Sequence, residues 1–136
     1  MKSRILIGAL FVLAVMAVAA VAAVEPTVAP RLRHQGIAFF LRPTQIAGKV
    51  VLGRVLIVHD DERMARGEAC TTVYRYGGGR REELLSFMCK PEARPAIDRL
   101  TVRCVRNNAN LMMDVMTEYQ FPGETEAHGV PTAWYR

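Results

Sequence analysis

Apolar and polar side chains alternate along several short runs of this chain, and a period of two is the mark of a strand with one covered face. The cleanest run is Asn110 to Phe121. Leu111, Met113, Val115, Tyr119 and Phe121 fall on one face, and Met112, Asp114, Met116, Glu118 and Gln120 on the other. Met112 and Met116 beside Asp114 and Glu118 thus offer a contact face. Gly36 to Arg42 predicts a first strand ended by Pro43, and Ala47 to His59 predicts one long strand or two broken at Gly53. Within the latter both faces are apolar (Val55 and Ile57, Leu56 and Val58), which suits a strand covered on both sides. Arg99 to Arg106 predicts a further strand with Leu100, Val102 and Cys104 on its apolar face, making Cys104 a buried thiol.

Cys70 to Cys89 predicts a β-hairpin. Setting Cys70 opposite Cys89 places Thr72 against Phe87, Tyr74 against Leu85 and Tyr76 against Glu83, with Gly77, Gly78 and Gly79 in the loop. Directly opposed cysteines at a non-hydrogen-bonded pair are close enough for a disulfide, so a Cys70–Cys89 bond is expected. It would stabilise the fold by about 3 kcal/mol in the chain-entropy picture. Two reduced, buried cysteines acting as small hydrophobes are the alternative.

The connections are short. Asp60 to Ala69 is polar with the character of a single helical turn, Lys90 to Ile97 carries two prolines and predicts a loop, and Asn107-Asn108 predicts a turn. Pro122 to Arg136 predicts a turn-rich tail. With about six strands and no long soluble helix, the expected fold is all-β, a small antiparallel sandwich or open barrel over residues 36–122.

The N-terminus is different in kind. Lys2 and Arg4 precede an unbroken apolar stretch from Ile5 to Val24, the pattern of an export signal, with small-x-small cleavage patterns at Ala20 to Ala22 and Ala17 to Ala19. A run of that length also suffices for an N-terminal membrane anchor, so residues 1–24 are a signal peptide or a tether. Residues 25–35, with two prolines, predict an extended linker. The rest is expected outside the cytoplasm, periplasmic or extracellular, or held at the inner membrane.

Setting aside the two basic residues of that segment leaves 16 basic against 13 acidic side chains, a charge of +3. The arginines are scattered rather than gathered with aromatics, so no nucleic-acid partner is expected. Three cysteines in an exported chain allow one internal disulfide and one leftover thiol.

Candidate chemistry is sparse. His59-Asp60-Asp61-Glu62 gathers nitrogen and oxygen ligands at a strand end, without the glycine or distal acid of a calcium loop. His59, His128, the thiols and several methionines are ligand types that copper prefers, although no dense Met or His cluster is present. No Gly-x-Ser-x-Gly elbow holds Ser86, and Cys70 and Cys89 are not in a Cys-x-x-Cys arrangement.

Gly48-Lys49-Val50-Val51-Leu52-Gly53-Arg54-Val55 resembles the Gly-Lys-x-Leu-Pro-Ala-Gly-x-Tyr segment of small exported bacterial proteins with a single β-domain and unknown function. It lacks the proline, is a residue shorter and has valine for tyrosine. That resemblance implies a fold class and export, and no activity, cofactor or site. The sequence therefore predicts an exported, non-catalytic β-domain that binds an envelope or extracellular partner or serves a structural role, with no cofactor. The alternative is a periplasmic copper or zinc protein using His59, Asp60 or His128; a small hydrolase ranks third.

Overall fold

The computed structural model describes residues 33–132, so the signal or anchor segment and the linker up to residue 32 lie outside the described residues. Among the described residues no helix is long and apolar enough to cross a membrane. The apolar runs after residue 33 form a hairpin. β1 (Arg33–Ile46) and β2 (Lys49–Asp60) are joined by Ala47 and Gly48 at φ 44° and 90°, a two-residue turn whose twist matches that of its strands. Pro43 does not end β1. The register shifts between Phe40 and Thr44, and at such a bulge a residue without an N–H is tolerated. β2 is one strand, and Val55 to His59 are buried without interruption, as its two-sided apolar pattern requires.

Asp60 then caps a single helical turn, α1 (Asp61–Ala65), accepting from the backbone N–H groups of Glu62 and Arg63 at 3.1 and 3.2 Å. The chain returns as β3 (Thr71–Gly77) and β4 (Arg80–Phe87). Their register differs from the expected one. Gly78 and Gly79, at φ 59° and 71°, make a two-residue loop that pairs Gly77 with Arg80. One extra residue on β4, in the shift between Val73 and Tyr74, then brings Phe87 opposite Thr71. Cys89 therefore lies beyond the residue that would face Cys70. A tight turn, rather than the cysteines, sets the pairing.

The remaining strands are β5 (Lys90–Ala93), β6 (Thr101–Arg106), β7 (Asp114–Gln120) and β8 (Glu126–Gly129). Two of these lie where loop and tail were expected. β5 contains Pro91, which is tolerated because β5 is an edge strand. β8, within the expected tail, sits between β7 and β5, with Ala127 and His128 buried. The order is β4-β3-β2-β1-β7-β8-β5, with β6 paired to β7, and among the described residues only β1–β7 is parallel. The fold is thus mostly β, as expected, and it is one sheet curled into a half-barrel, nearer the open barrel than the sandwich of the two expected forms and with more strands than the six expected.

Curling encloses Ile46, Val55, Ile57, Val73, Met116 and Tyr119, all at 1% exposure or less. β7 is flanked on both edges, and both of its faces are covered. Met116, Glu118 and Gln120 are accordingly buried, whereas Leu111 and Met112 precede the strand and are exposed, so the contact face expected around Met112 and Met116 does not form. Cys104, on the outer strand β6, is exposed rather than buried.

Candidate metal centre

Strand ends bring four ligand-type side chains together. His59 is near the end of β2, Cys70 immediately precedes β3, Cys89 lies between β4 and β5, and His128 is on β8. Pairing of His59 with Thr71 and of Thr71 with Phe87 aligns the first three at one end of the sheet. The hydrogen bond from the Asp60 backbone N–H to the Cys70 carbonyl, 2.9 Å, fastens Cys70 beside the end of β2. β8 delivers His128 through its pairing with Pro91 and Tyr119.

Cys89 Sγ is central. It lies 3.3 Å from His59 Nε2, 3.7 Å from His128 Nδ1 and 2.9 Å from Cys70 Sγ. The ligand atoms of His59, Cys89 and His128 all fall within 4.8 Å of one another. A sulfur and a nitrogen bound to one tetrahedral zinc at about 2.3 and 2.0 Å are separated by about 3.5 Å, so the observed spacings suit a common ion. All four side chains are at 5% exposure or less.

The sulfur pair is in contact but unbonded, because 2.9 Å exceeds the roughly 2.05 Å of a disulfide. The expected Cys70–Cys89 staple is therefore not formed. In its place the Cys89 backbone N–H donates to Cys70 Sγ at 3.2 Å.

A carboxylate stands behind each histidine. Glu124 Oε2 lies 3.1 Å from His128 Nε2 and can accept a ring proton there, the tautomer that leaves the Nδ1 lone pair facing Cys89. The other oxygen of Glu124 reaches His34 Nδ1 at 3.1 Å. Asp61 Oδ1 lies 3.1 Å from His59 Nδ1, yet their alignment is not that of a hydrogen bond, and Nδ1 is a buried polar atom without a bonded partner. The Asp61 carboxylate favours the protonated form of His59, against the stronger effect of burial. Carboxylates behind imidazoles orient the rings and raise their basicity toward a metal.

The walls are aromatic. The Tyr119 ring stacks on His128 at 4.9 Å, the two histidine rings are 4.1 Å apart, and Phe121 meets His128 edge-on. The Tyr119 hydroxyl is hydrogen-bonded to Thr71. This setting disfavours charge. Burial, then the neighbouring His128, lowers the His59 pKa to about 4, against the opposing pull of Asp61 and Glu124. Burial, then the Cys70 thiol, pushes Cys89 up to about 12. Without an ion the site thus holds a neutral His59 imidazole and a protonated Cys89 thiol, the reverse of the lowered thiol pKa that a cysteine nucleophile uses.

Of the metal candidates named from sequence, His59 and His128 converge and Asp60 does not; it caps α1 and pairs with Arg33 at 3.2 Å. Met88 and Met112 project outward. The sequence placed the thiols beside the histidines as copper ligand types, but the expected Cys70–Cys89 staple kept the two cysteines out of the candidate site. The available signal was positional, since Cys70 and Cys89 flank the same hairpin whose neighbouring strand ends at His59. Comparison of the chain with protein-family models, with curated proteins and with solved structures finds no match.

Proposed function

We propose that this chain is an exported, non-catalytic β-domain that binds one closed-shell cation, Zn²⁺ or Cu⁺, through His59, Cys89 and His128. Convergence of two imidazoles and a sulfur, each with under 6% exposure, is the observation that carries this reading. Burying such groups without strong partners is costly, and an ion would satisfy them together. One thiolate and two imidazoles form a borderline-to-soft donor set, which favours zinc and copper over magnesium or calcium. Export follows from the apolar segment at Ile5 to Val24, and a partner in the envelope or medium remains part of the proposal.

Titration of untagged, reduced protein with Co²⁺ tests this, with zinc and Cu⁺ then added as competitors. The expected result is a sulfur-to-cobalt charge-transfer band and tetrahedral visible bands saturating at one equivalent. Zinc or Cu⁺ should bleach them as either displaces cobalt from the same ligands. In Cys89→Ser the charge-transfer band should be absent or much reduced. A featureless spectrum in the wild type, with protein that is folded by circular dichroism, would overturn the proposal.

A further inference from the structure

Cys70 is the part of the cluster that the three-ligand set leaves without a role. Its sulfur is 1% exposed, 2.9 Å from Cys89 Sγ, and accepts the Cys89 backbone N–H. The separation is intermediate between two stable arrangements. Two sulfurs on one tetrahedral zinc stand about 3.7 Å apart, whereas a disulfide brings them to about 2.05 Å. A sub-ångström movement in either direction reaches one state or the other.

We propose that Cys70 is a redox gate on the metal site: with both thiols reduced it supplies a fourth ligand, and when peroxide joins it to Cys89 the site loses its thiolates and releases the ion. This inference rests on the metal-binding reading and specifies its regulation. The oxidant is of the peroxide class, small enough to approach a sulfur with only 5% exposure. In the loaded site the attacking sulfur is a metal-bound thiolate rather than the protonated thiol of the empty site; its attack on the peroxide breaks the O–O bond and gives a sulfenic acid and a hydroxide that takes a proton from solvent to become water. The second sulfur then displaces that hydroxyl as a second water, forming the S–S bond. Two electrons pass from the sulfur pair to the peroxide. The two thiol protons leave in the two waters, or are replaced from solvent where the thiols were already metal-bound thiolates. The histidines remain, but two imidazoles alone hold zinc or Cu⁺ far more weakly. An exported protein works where disulfides form and persist, so such a gate would be exercised there.

The test uses the full chain carrying Cys104→Ser, which removes the exposed third thiol. Zinc-loaded protein, whose ion peroxide cannot oxidise, is treated with hydrogen peroxide, and released zinc is followed with a chromophoric chelator while intact mass is measured. The expected result is release of the ion together with loss of two hydrogens' mass, and rebinding after reduction. Cys70→Ser should bind about 10–100-fold more weakly when reduced, and peroxide should add oxygen to it rather than remove hydrogen. Metal retained in protein that has lost two hydrogens would overturn the gate, as would release accompanied only by added oxygen. If Cys70→Ser does not fold, reversibility in the parent protein decides alone. Absence of metal in reduced protein would instead defeat the function reading.

Discussion

His59 and His128 owe their chemistry to what stands behind them. Neutralising a supporting carboxylate should weaken metal binding without abolishing it. Glu124→Gln, which removes the acceptor charge 3.1 Å from His128 Nε2, is expected to reduce zinc affinity about 10–100-fold, measured by competition with a chelator of known affinity. The wall beside the site has a separate role. Tyr119→Phe would leave the buried Thr71 hydroxyl with only its weak 4.0 Å contact to Cys70 Sγ, at a cost of about 1 kcal/mol read from denaturant unfolding. Glu118 is the clearest source of pH dependence away from the cluster. Arg94, bonded to it at 2.8 Å, and Arg103 hold the Glu118 carboxyl below its usual range. A carboxylate with a depressed folded-state pKa contributes stability that is present above its unfolded pKa and is lost as pH falls through the folded one. Glu118→Gln should therefore lower stability at about pH 7 and leave a shallower decline between about pH 5 and pH 3, as seen in urea midpoints. These partnerships were hidden in the sequence. Glu118 belongs to an alternating run that marks it as outward-facing, and only the cover on both sides of β7 buries it.

At the scale of elements, composition revealed where strands exist and left open how they pair. The apolar run ending at His59 identified β2 because both of its faces are apolar, and Asp60 to Ala69 yielded its helical turn. Register was harder. Three consecutive glycines allow more than one turn, and the choice of Gly78-Gly79 shifts every partner in the β3–β4 hairpin relative to the disulfide-based pairing. Gly79→Ala tests that turn. Its added Cβ meets nothing within 4 Å, so the cost is conformational, about 1–2 kcal/mol at φ 71°, without loss of metal stoichiometry. β5 and β8 escaped notice because each has only four residues, too few for periodicity to register, and β5 contains a proline that edge position alone makes acceptable.

For the whole molecule, the half-barrel is the device that assembles the centre. β8 inserts between β7 and β5, bringing a histidine from the last tenth of the chain to the end of β2. No local pattern encodes that meeting. The all-β class and the importance of the Cys70 to Cys89 stretch were legible, since alternation and turn residues are local; the long-range closure was not. An ion that binds only this closed arrangement should stabilise it. At a free zinc concentration of about 100 times the dissociation constant the gain is about 2.7 kcal/mol. For a domain of this size that corresponds to a rise in thermal midpoint of about 10–20 °C, reversed by a chelator. The most direct measurement of the central claim is X-ray absorption at the zinc edge of reduced, zinc-loaded protein. The expected spectrum shows a shell of sulfur at about 2.3 Å and imidazole nitrogen at about 2.0 Å, with the sulfur contribution reduced in Cys89→Ser. A shell of nitrogen and oxygen alone, unchanged in that variant, would contradict it.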